Sequence, residues 1–530
     1  MALHGVSSKL SQSNLENVRR VIPTSFARGA NRRAAEGSAP GVGDAEDAQA
    51  SRVDQSPRRL ARSIPNSSAV ICALDLLFIG LAQATVFGII HARLEFAGAT
   101  QVPMVVALSV VANIAFLYAF GSYRRETLVN RNVAAARLPV ALGFAALVFF
   151  AALHYGFASL FPLEHVYQSI SRCVTIALVG AGISLCGAVV SRITFYAMAH
   201  RQWFRRRILV LGTGQRALYL RNLMNHDAHR MVSDLYFVSE SCLGAPPPKV
   251  EDGLRDATLA TNDMSIDELA RTLMIDEVVI AVDERRGISL ERLLTCKTSG
   301  IPVTGFQTFV ERETGHVDLS WLELSWLVYS DGFRMRPIDV LMKRFLDISV
   351  SFILLFVSFP VLLGATIAIW LSGQKPFFQQ ERVTRDGRRF SLYKLRTMRA
   401  DAEKNGPQWA LVNDARITRV GALLRRTRID EIPQLINVLR GDMSLVGPRP
   451  ERPVFVSQLS EEIRMYDLRH TVKSGLTGWA QINYPYGASK IDVERKLEYD
   501  LYYIKNYSLL RDISILVQTI RVVFWPQGVR

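Results

Sequence analysis

Residues 345–371, FLDISVSFILLFVSFPVLLGATIAIWL, decide how this chain is laid out. The run is apolar and long enough to cross a bilayer, whose hydrocarbon core of about 30 Å takes roughly 20 helical residues. Charge and backbone chemistry both oppose a crossing. Lys343 and Arg344 precede the run, and Lys375, Arg382 and Arg385 follow it. Cytosolic flanks carry the excess of basic residues, so both ends belong on one side. Pro360 stands inside the run, without an amide donor and in collision with the preceding turn. The 11 residues beyond it reach only about 16 Å as a helix, too short to span alone. The pattern predicts a re-entrant helix–break–helix over 345–371, with Ser358 re-satisfying a backbone group freed at the Pro360 break. A kinked fifth crossing is the competing reading, and it would put everything after Pro360 outside.

Upstream, residues 205–335 read as an α/β unit. RILVLGTGQRA, 207–217, is a buried strand leading through a glycine turn into a helix. Strand-like runs at 234–238, 277–282 and 302–305 alternate with helix-like runs at 266–273 and 289–298. That rhythm is the signature of a parallel sheet of Rossmann type. Gly212 and Gly214, in a G-x-G-x-x-A turn, can place a pyrophosphate at a helix N-terminus. Two departures weigh against a working dinucleotide site. Glu240 is too late and poorly placed to be the acidic residue that ends a second strand, and no Tyr-x-x-x-Lys pair is present for hydride chemistry. A degenerate or regulatory nucleotide fold is expected.

Further upstream, four apolar runs lie near 69–92, 102–121, 138–154 and 173–191. Arg58, Arg59 and Arg62 precede the first. Arg124, Arg125, Arg131 and Arg137 separate the second from the third, and Arg192, Arg201, Arg205, Arg206 and Arg207 follow the fourth. The intervening loops carry only Arg93 and Arg172. The positive-inside rule gives four crossings within 67–195 and a cytosolic exit. Residues 1–66 are rich in Ser, Ala, Gly and Arg without apolar periodicity, and are expected to be a disordered cytosolic tail. Arg52 and its neighbours in this tail could touch anionic headgroups.

The net charge of +15 and pI near 9.7 suit nucleic acid, an anionic membrane or phosphorylated substrates. The apolar runs decide for membrane, and no basic–aromatic module for nucleic acid is present. None of the five cysteines forms a CxxC pair, so neither a metal site nor a disulfide framework is expected.

Downstream, RRTRIDEIPQ at 425–434 sets Asp430 and Glu431 side by side after three arginines, and VGPRP follows at 446–450. Arginine forks grip phosphate oxygens, while Mg²⁺ takes one or two carboxylates plus substrate phosphates. Asp430 and Glu431 are neighbours, not i,i+4 ion-pair partners, which speaks for chemistry over a solvated helix face. The turn at 447–450 either aims Arg449 at a phosphate or forms a structural corner. Trp479 suits a loop at the membrane edge. Tyr499, Tyr502 and Tyr503 with Lys496 and Lys505 rest on headgroups or pack internally. The helix near 509–524 is core or dimer surface.

From Lys343 onward the chain closely resembles the catalytic domain of the bacterial sugar transferases, the polyprenyl-phosphate sugar-1-phosphate transferases. The resemblance is carried by KRFLD (343–347), PFFQQERV (376–383), FSLYKLRTM (390–398), RIDEIPQL (428–435), NVLRGDMSLVGPRP (437–450) and GLTGWAQ (475–481). Four crossings and a Rossmann-like region match the longer, polytopic subgroup, and NYPYGA (483–488) is similar to the exopolysaccharide branch associated with PEP-CTERM systems. The resemblance implies transfer of sugar-1-phosphate from a UDP-sugar, by default glucose or galactose, to undecaprenyl phosphate with release of UMP. It implies Asp430 as covalent nucleophile and Glu431 as a ligand of Mg²⁺. By charge and motif position Lys394, Arg396, Arg426, Arg428 and Arg449 are candidates for the phosphates.

The expected architecture is a membrane α-helical bundle (67–195), an α/β Rossmann-like middle domain (205–335) and a mostly α catalytic domain (343–530) with its re-entrant helix. The expected location is the bacterial inner membrane, catalytic domain on the cytosolic face, with a homodimer as candidate assembly. The rival reading is a membrane-bound nucleotide-sugar epimerase or dehydratase working through Gly212 and Gly214.

Overall fold

The computed structural model describes residues 67–94, 102–124, 131–158, 166–200, 206–225, 233–239, 254, 258–259, 265–284, 289–330, 332–333, 336–402, 414–484 and 489–524. The tail at 1–66, Glu240 and the 485–488 part of NYPYGA lie outside the described residues. The chain divides into Met1–Leu60 and Ala61–Arg530, and every described element falls in the second unit.

Four helices come first: α1 (Ser67–Leu94), α2 (Val102–Ala119), α3 (Arg131–Ala158) and α4 (Val166–His200). Ile71, Ile79, Leu117, Leu138, Leu142 and Phe195 form their shared core. Leu76, Leu81, Val111, Leu147 and Leu178 face outward, each more than half exposed. A bundle apolar within and without is built for lipid. Gly187 lets α4 approach α1, since a Cβ there would stand 3.0 Å from the Cα of Ile79.

Next come β1 (Arg206–Leu211), α5 (Gln215–Met224), β2 (Ser233–Val238), β3 (Thr258–Leu259), α6 (Ile266–Thr272), β4 (Glu277–Ile280), α7 (Leu290–Thr298), β5 (Val303–Gly305) and α8 (Phe306–Thr314). The strands are all parallel, in the order β3-β2-β1-β4-β5. β1 is central and has helices on both faces, which is why it is an unbroken apolar run. Ile208 and Val210 pack with Ala217, Phe306 and Phe309 on one side. Leu209 and Leu211 pack with Ile266, Leu269 and Leu293 on the other.

A 3₁₀ turn (Leu319–Trp321) and α9 (Leu324–Tyr329) lead into α10 (Pro337–Leu371). This 35-residue helix opens on Pro337, whose missing amide costs nothing in the first turn. It runs unbroken through Pro360, so the expected break is not there. One lost amide does not end a helix when no water competes for the remaining backbone bonds. Ser358 Oγ donates to Leu354 O at 2.6 Å, not to the Phe356 carbonyl that Pro360 deprives of its donor. Among the described residues, four helices are long and apolar enough to cross a bilayer, namely α1, α3, α4 and α10. This set differs from the expected one, because the apolar stretch of α2, Pro103–Ala119, is shorter.

The remaining chain forms β6 (Phe377–Val383) and β7 (Arg389–Leu395), an antiparallel pair, then α11 (Arg419–Arg426), a 3₁₀ turn (Ile429–Glu431) and α12 (Gln434–Arg440). β8 (Ser444–Val446), α13 (Pro453–Glu462), β9 (Gly475–Thr477), α14 (Trp479–Asn483), α15 (Lys490–Lys505) and α16 (Leu509–Phe524) complete it. Both flanks of α10 dock on this region. Arg344 donates to Val438 O and Leu439 O, and Asp347 accepts from Leu445 N. Ala365 and Ile369 pack with Leu395 and Leu424. Between the flanks, residues 352–364 include no buried side chain.

Two groups of residues considered for membrane contact have internal partners. Trp479 begins α14 and does not sit on a loop; it donates Nε1 to Gly315 O at 2.8 Å and stacks on Tyr502. Tyr503 and Lys505 are internal, the first bonded to Asp512 and Val446 O, the second paired with Glu311 at 2.5 Å. α16 packs against α2 through Tyr118–Ser514 and against α10 through Lys343–Asp512.

Candidate active site

The acid pair stands on a tight corner, not on a continuous helix. α11 ends at Arg426, and after the capping Thr427 Arg428 adopts φ 59°, the left-handed region that an arginine enters only when its surroundings demand it. The 3₁₀ turn that follows advances about 120° per residue. That divergence sends Asp430 and Glu431 into different surroundings.

Glu431 is pinned. Its Oε1 accepts from Arg449 Nη2 at 2.7 Å, with Lys394 Nζ at 3.4 Å and Arg428 Nη1 at 3.8 Å. Burial alone would raise its pKa, but Arg449, Lys394 and Arg428 outweigh it and hold the carboxyl far below the usual range. Asp430 is the opposite case. It is 6% exposed, and its Oδ1 is buried with no hydrogen-bond partner. Burial and then the adjacent Glu431 charge push its pKa up to about 6, against the pull of Lys394, Arg425 and Arg428. Burial likewise lowers Lys394, with Glu431 opposing. One acid is an anchor for cations, and the other is left with a free oxygen.

Each cation is aimed by its own element. Lys394 lies on β7 opposite Phe378. Asn437 of α12, fully buried, accepts from Tyr393 N at 3.0 Å and donates to Ser391 O at 2.8 Å, which ties the strand to the acid corner. Arg449 projects from a turn that is both corner and arm. Gly447 N donates to Thr477 O and Gly475 N to Pro448 O, while Arg469, held by Asp500, donates to Arg449 O. A Cβ on Gly447 would stand 3.0 Å from Gly475 N and overlap Lys473 O, so glycine is needed for the close approach.

The corner thus gathers Lys394, Arg428 and Arg449 around the acids, but not the other two candidates. Arg396 bonds Lys375 O and lies over the Phe378 ring. Arg426 is exposed at the end of α11. Arg425, not singled out beforehand, faces inward and donates to Thr397 Oγ1 at 2.9 Å. Helix phase decides which of the two consecutive arginines points inward: Arg425 shares a face of α11 with buried Gly421 and Leu424, the face that packs on Thr397, and Arg426 does not. Asn437 was also missed, although a polar residue inside an apolar helical face was a usable signal.

No group of three or more His, Cys, Asp or Glu gathers among the described residues. The orphaned Asp430 Oδ1 beside Glu431 fits Mg²⁺ completed by substrate phosphates and water, and does not fit an all-protein cage.

Residues 338–526 match the family model for bacterial sugar transferases. The chain is 41% identical over 242 residues to a UDP-N-acetylgalactosamine-undecaprenyl-phosphate N-acetylgalactosaminephosphotransferase of Aeromonas hydrophila, covering 45% of this chain and 56% of that one. It is 41% identical over 189 residues to the UDP-glucose:undecaprenyl-phosphate glucose-1-phosphate transferase of Escherichia coli K12, covering 35% of this chain and 41% of that one. Against an uncharacterized sugar transferase of Bacillus subtilis 168, EpsL, it is 38% identical over 192 residues, covering 36% of this chain but 91% of the relative. The shared part therefore spans little more than half of the first relative and nearly the whole of the last. With that coverage, and with the acid corner in place, the chain belongs to the bacterial sugar transferase family.

Proposed function

We propose that this protein transfers a sugar-1-phosphate from a UDP-sugar to undecaprenyl phosphate, releasing UMP, as the first membrane step of exopolysaccharide or O-antigen assembly. The observation that carries the reading is the contrast within the acid pair. Glu431 is locked to three cations, while Asp430 keeps a buried, unpartnered oxygen. In the first step Asp430 attacks the sugar-bearing phosphorus, the bond to UMP breaks, and an Asp430 phosphosugar forms. In the second, an oxygen of undecaprenyl phosphate attacks the same phosphorus, and the carboxylate leaves. No net proton is consumed.

Lys394, Arg428 and Arg449 bind the diphosphate and screen the approach of one anion to another. Glu431 would hold Mg²⁺, which would neutralise charge developing on the departing UMP, leaving Asp430 for the attack. The names of the relatives favour glucose or N-acetylgalactosamine as the sugar, beside the galactose expected from the family.

The acids work at the cytosolic face under this reading, with α10 entering and leaving the inner membrane on one side. Support comes from both flanks of α10 docking on the same region while its unburied apolar middle protrudes. The deciding experiment gives reconstituted protein a UDP-sugar panel and undecaprenyl phosphate, then measures UMP. Asp430→Asn should abolish release and eliminate a phosphosugar adduct detectable by intact mass; turnover by this variant would refute the covalent role.

A further inference from the structure

Beyond β1 the chain turns through Gly212, Thr213 and Gly214 into α5, the arrangement in which nucleotide folds seat a pyrophosphate on helix amides. β1 lies between β2 and β4, so a crevice opens beyond the C-terminal ends of β1 and β4, where open α/β sheets take their ligands. Asp283, shortly after β4, is already in it. Its Oδ2 accepts from Gln215 N at 2.8 Å and its Oδ1 from Arg216 N at 3.1 Å. These are the opening amides of α5, which have no partner inside the helix and which a phosphate would otherwise occupy.

The two glycines tell the same story for different reasons. Gly212 has φ 126°, and a Cβ on it would stand 2.5 Å from Ala281 O, so its backbone requires glycine. Gly214 has φ −90°, open to any residue. A Cβ there would nevertheless stand 2.7 Å from Asp283 Cγ and overlap Oδ2. Glycine at 214 makes room for a carboxylate. The adjacent guanidinium is engaged as well, Arg216 bonding Val282 O at 3.2 Å and Glu323 at 2.5 Å.

We infer that Asp283 is a built-in occupant of this anion seat, so the parallel sheet keeps the shape of a nucleotide fold and takes no dinucleotide. This holds whether or not the transfer reaction proposed above is correct. It also removes the footing of an epimerase working through Gly212 and Gly214. Full-chain protein in nanodiscs should retain neither NAD⁺ nor NADPH in equilibrium dialysis at millimolar concentration, and stoichiometric retention would overturn the assignment. A thermal cycle tests the occupant directly. Gly214→Ala should lower the unfolding midpoint in the wild-type background and have little effect beside Asp283→Ala; an equal loss in both backgrounds would overturn it. If Gly214→Ala does not fold, hydrogen exchange in Asp283→Asn serves instead. The amides of Gln215 and Arg216 should exchange about tenfold faster, as expected for a lost charge-assisted bond, and unchanged exchange would count against Asp283.

Discussion

At the residue scale, catalysis and stability pull Asp430 in opposite directions. Its pKa is raised from 3.8 to about 6, so the carboxylate form needed for attack dominates only above that value. Turnover should therefore fall as pH drops through about 6, which a pH–rate profile of UMP release checks. The stability sign is the reverse. A raised carboxyl contributes stability that is fully present below its unfolded pKa and lost as pH rises through the folded one. Asp430→Asn should then be dead yet more heat-stable at pH above about 7, by up to about 3 kcal/mol, with no gain below about pH 4. Calorimetry across that range would expose an error in sign. For the cation cluster, Arg449→Ala should lower the rate on the order of 100-fold, since it loosens both Glu431 and the phosphate grip. Arg449→Lys should recover only part, because an ammonium lacks the planar fork.

At the scale of elements, α10 is the part of the fold whose sequence reading missed its continuity. Basic flanks and Pro360 argued for a re-entrant segment, whereas the helix is unbroken and long and apolar enough to cross a bilayer, and both of its flanks dock on the region that follows. The continuity of the helix was not legible, because the cost of a proline depends on whether water can reach the freed carbonyl, a tertiary property. The acid pair was legible because Asp430 and Glu431 are adjacent within a dense run of arginines. The choice of Arg425 over Arg426 was overlooked, although it follows the phase of α11, in which Gly421, Leu424 and Arg425 share one face. β1 was legible because a strand covered on both faces needs four apolar residues in a row, whereas the internal contact of Trp479 was not, because its partner, Gly315 O, lies 164 residues away. Single cysteines at Arg336 and Ser372, in an otherwise cysteine-free chain, should both be labelled from the cytosolic side only. Labelling of position 372 by an impermeant reagent outside intact cells would show a crossing instead.

At the scale of the whole molecule, the parallel sheet reaches the acid corner through structure alone. Glu311 accepts from Lys505 and Asn506, Val317 N donates to Glu498 O, and Gly315 O receives Trp479 two residues before Gln481, which bonds Arg449. Removing the carboxylate by Glu311→Ala would strand a buried Lys505, at a cost on the order of 3–5 kcal/mol. The expected result is a clear drop in unfolding midpoint with a parallel loss of UMP release; unchanged values for both would show that the contact is idle. The docking of α10 has a further consequence for how the protein is made. Carbonyls of Val438, Leu439 and Val446 and the amide of Leu445 find their partners on Arg344, Lys343 and Asp347, so lipid entry and maturation of the enzyme are one event. A ribosome that supplied only the portion from Lys375 onward would release a polypeptide missing a wall of its own interior, destined for inclusion bodies and not for the soluble fraction.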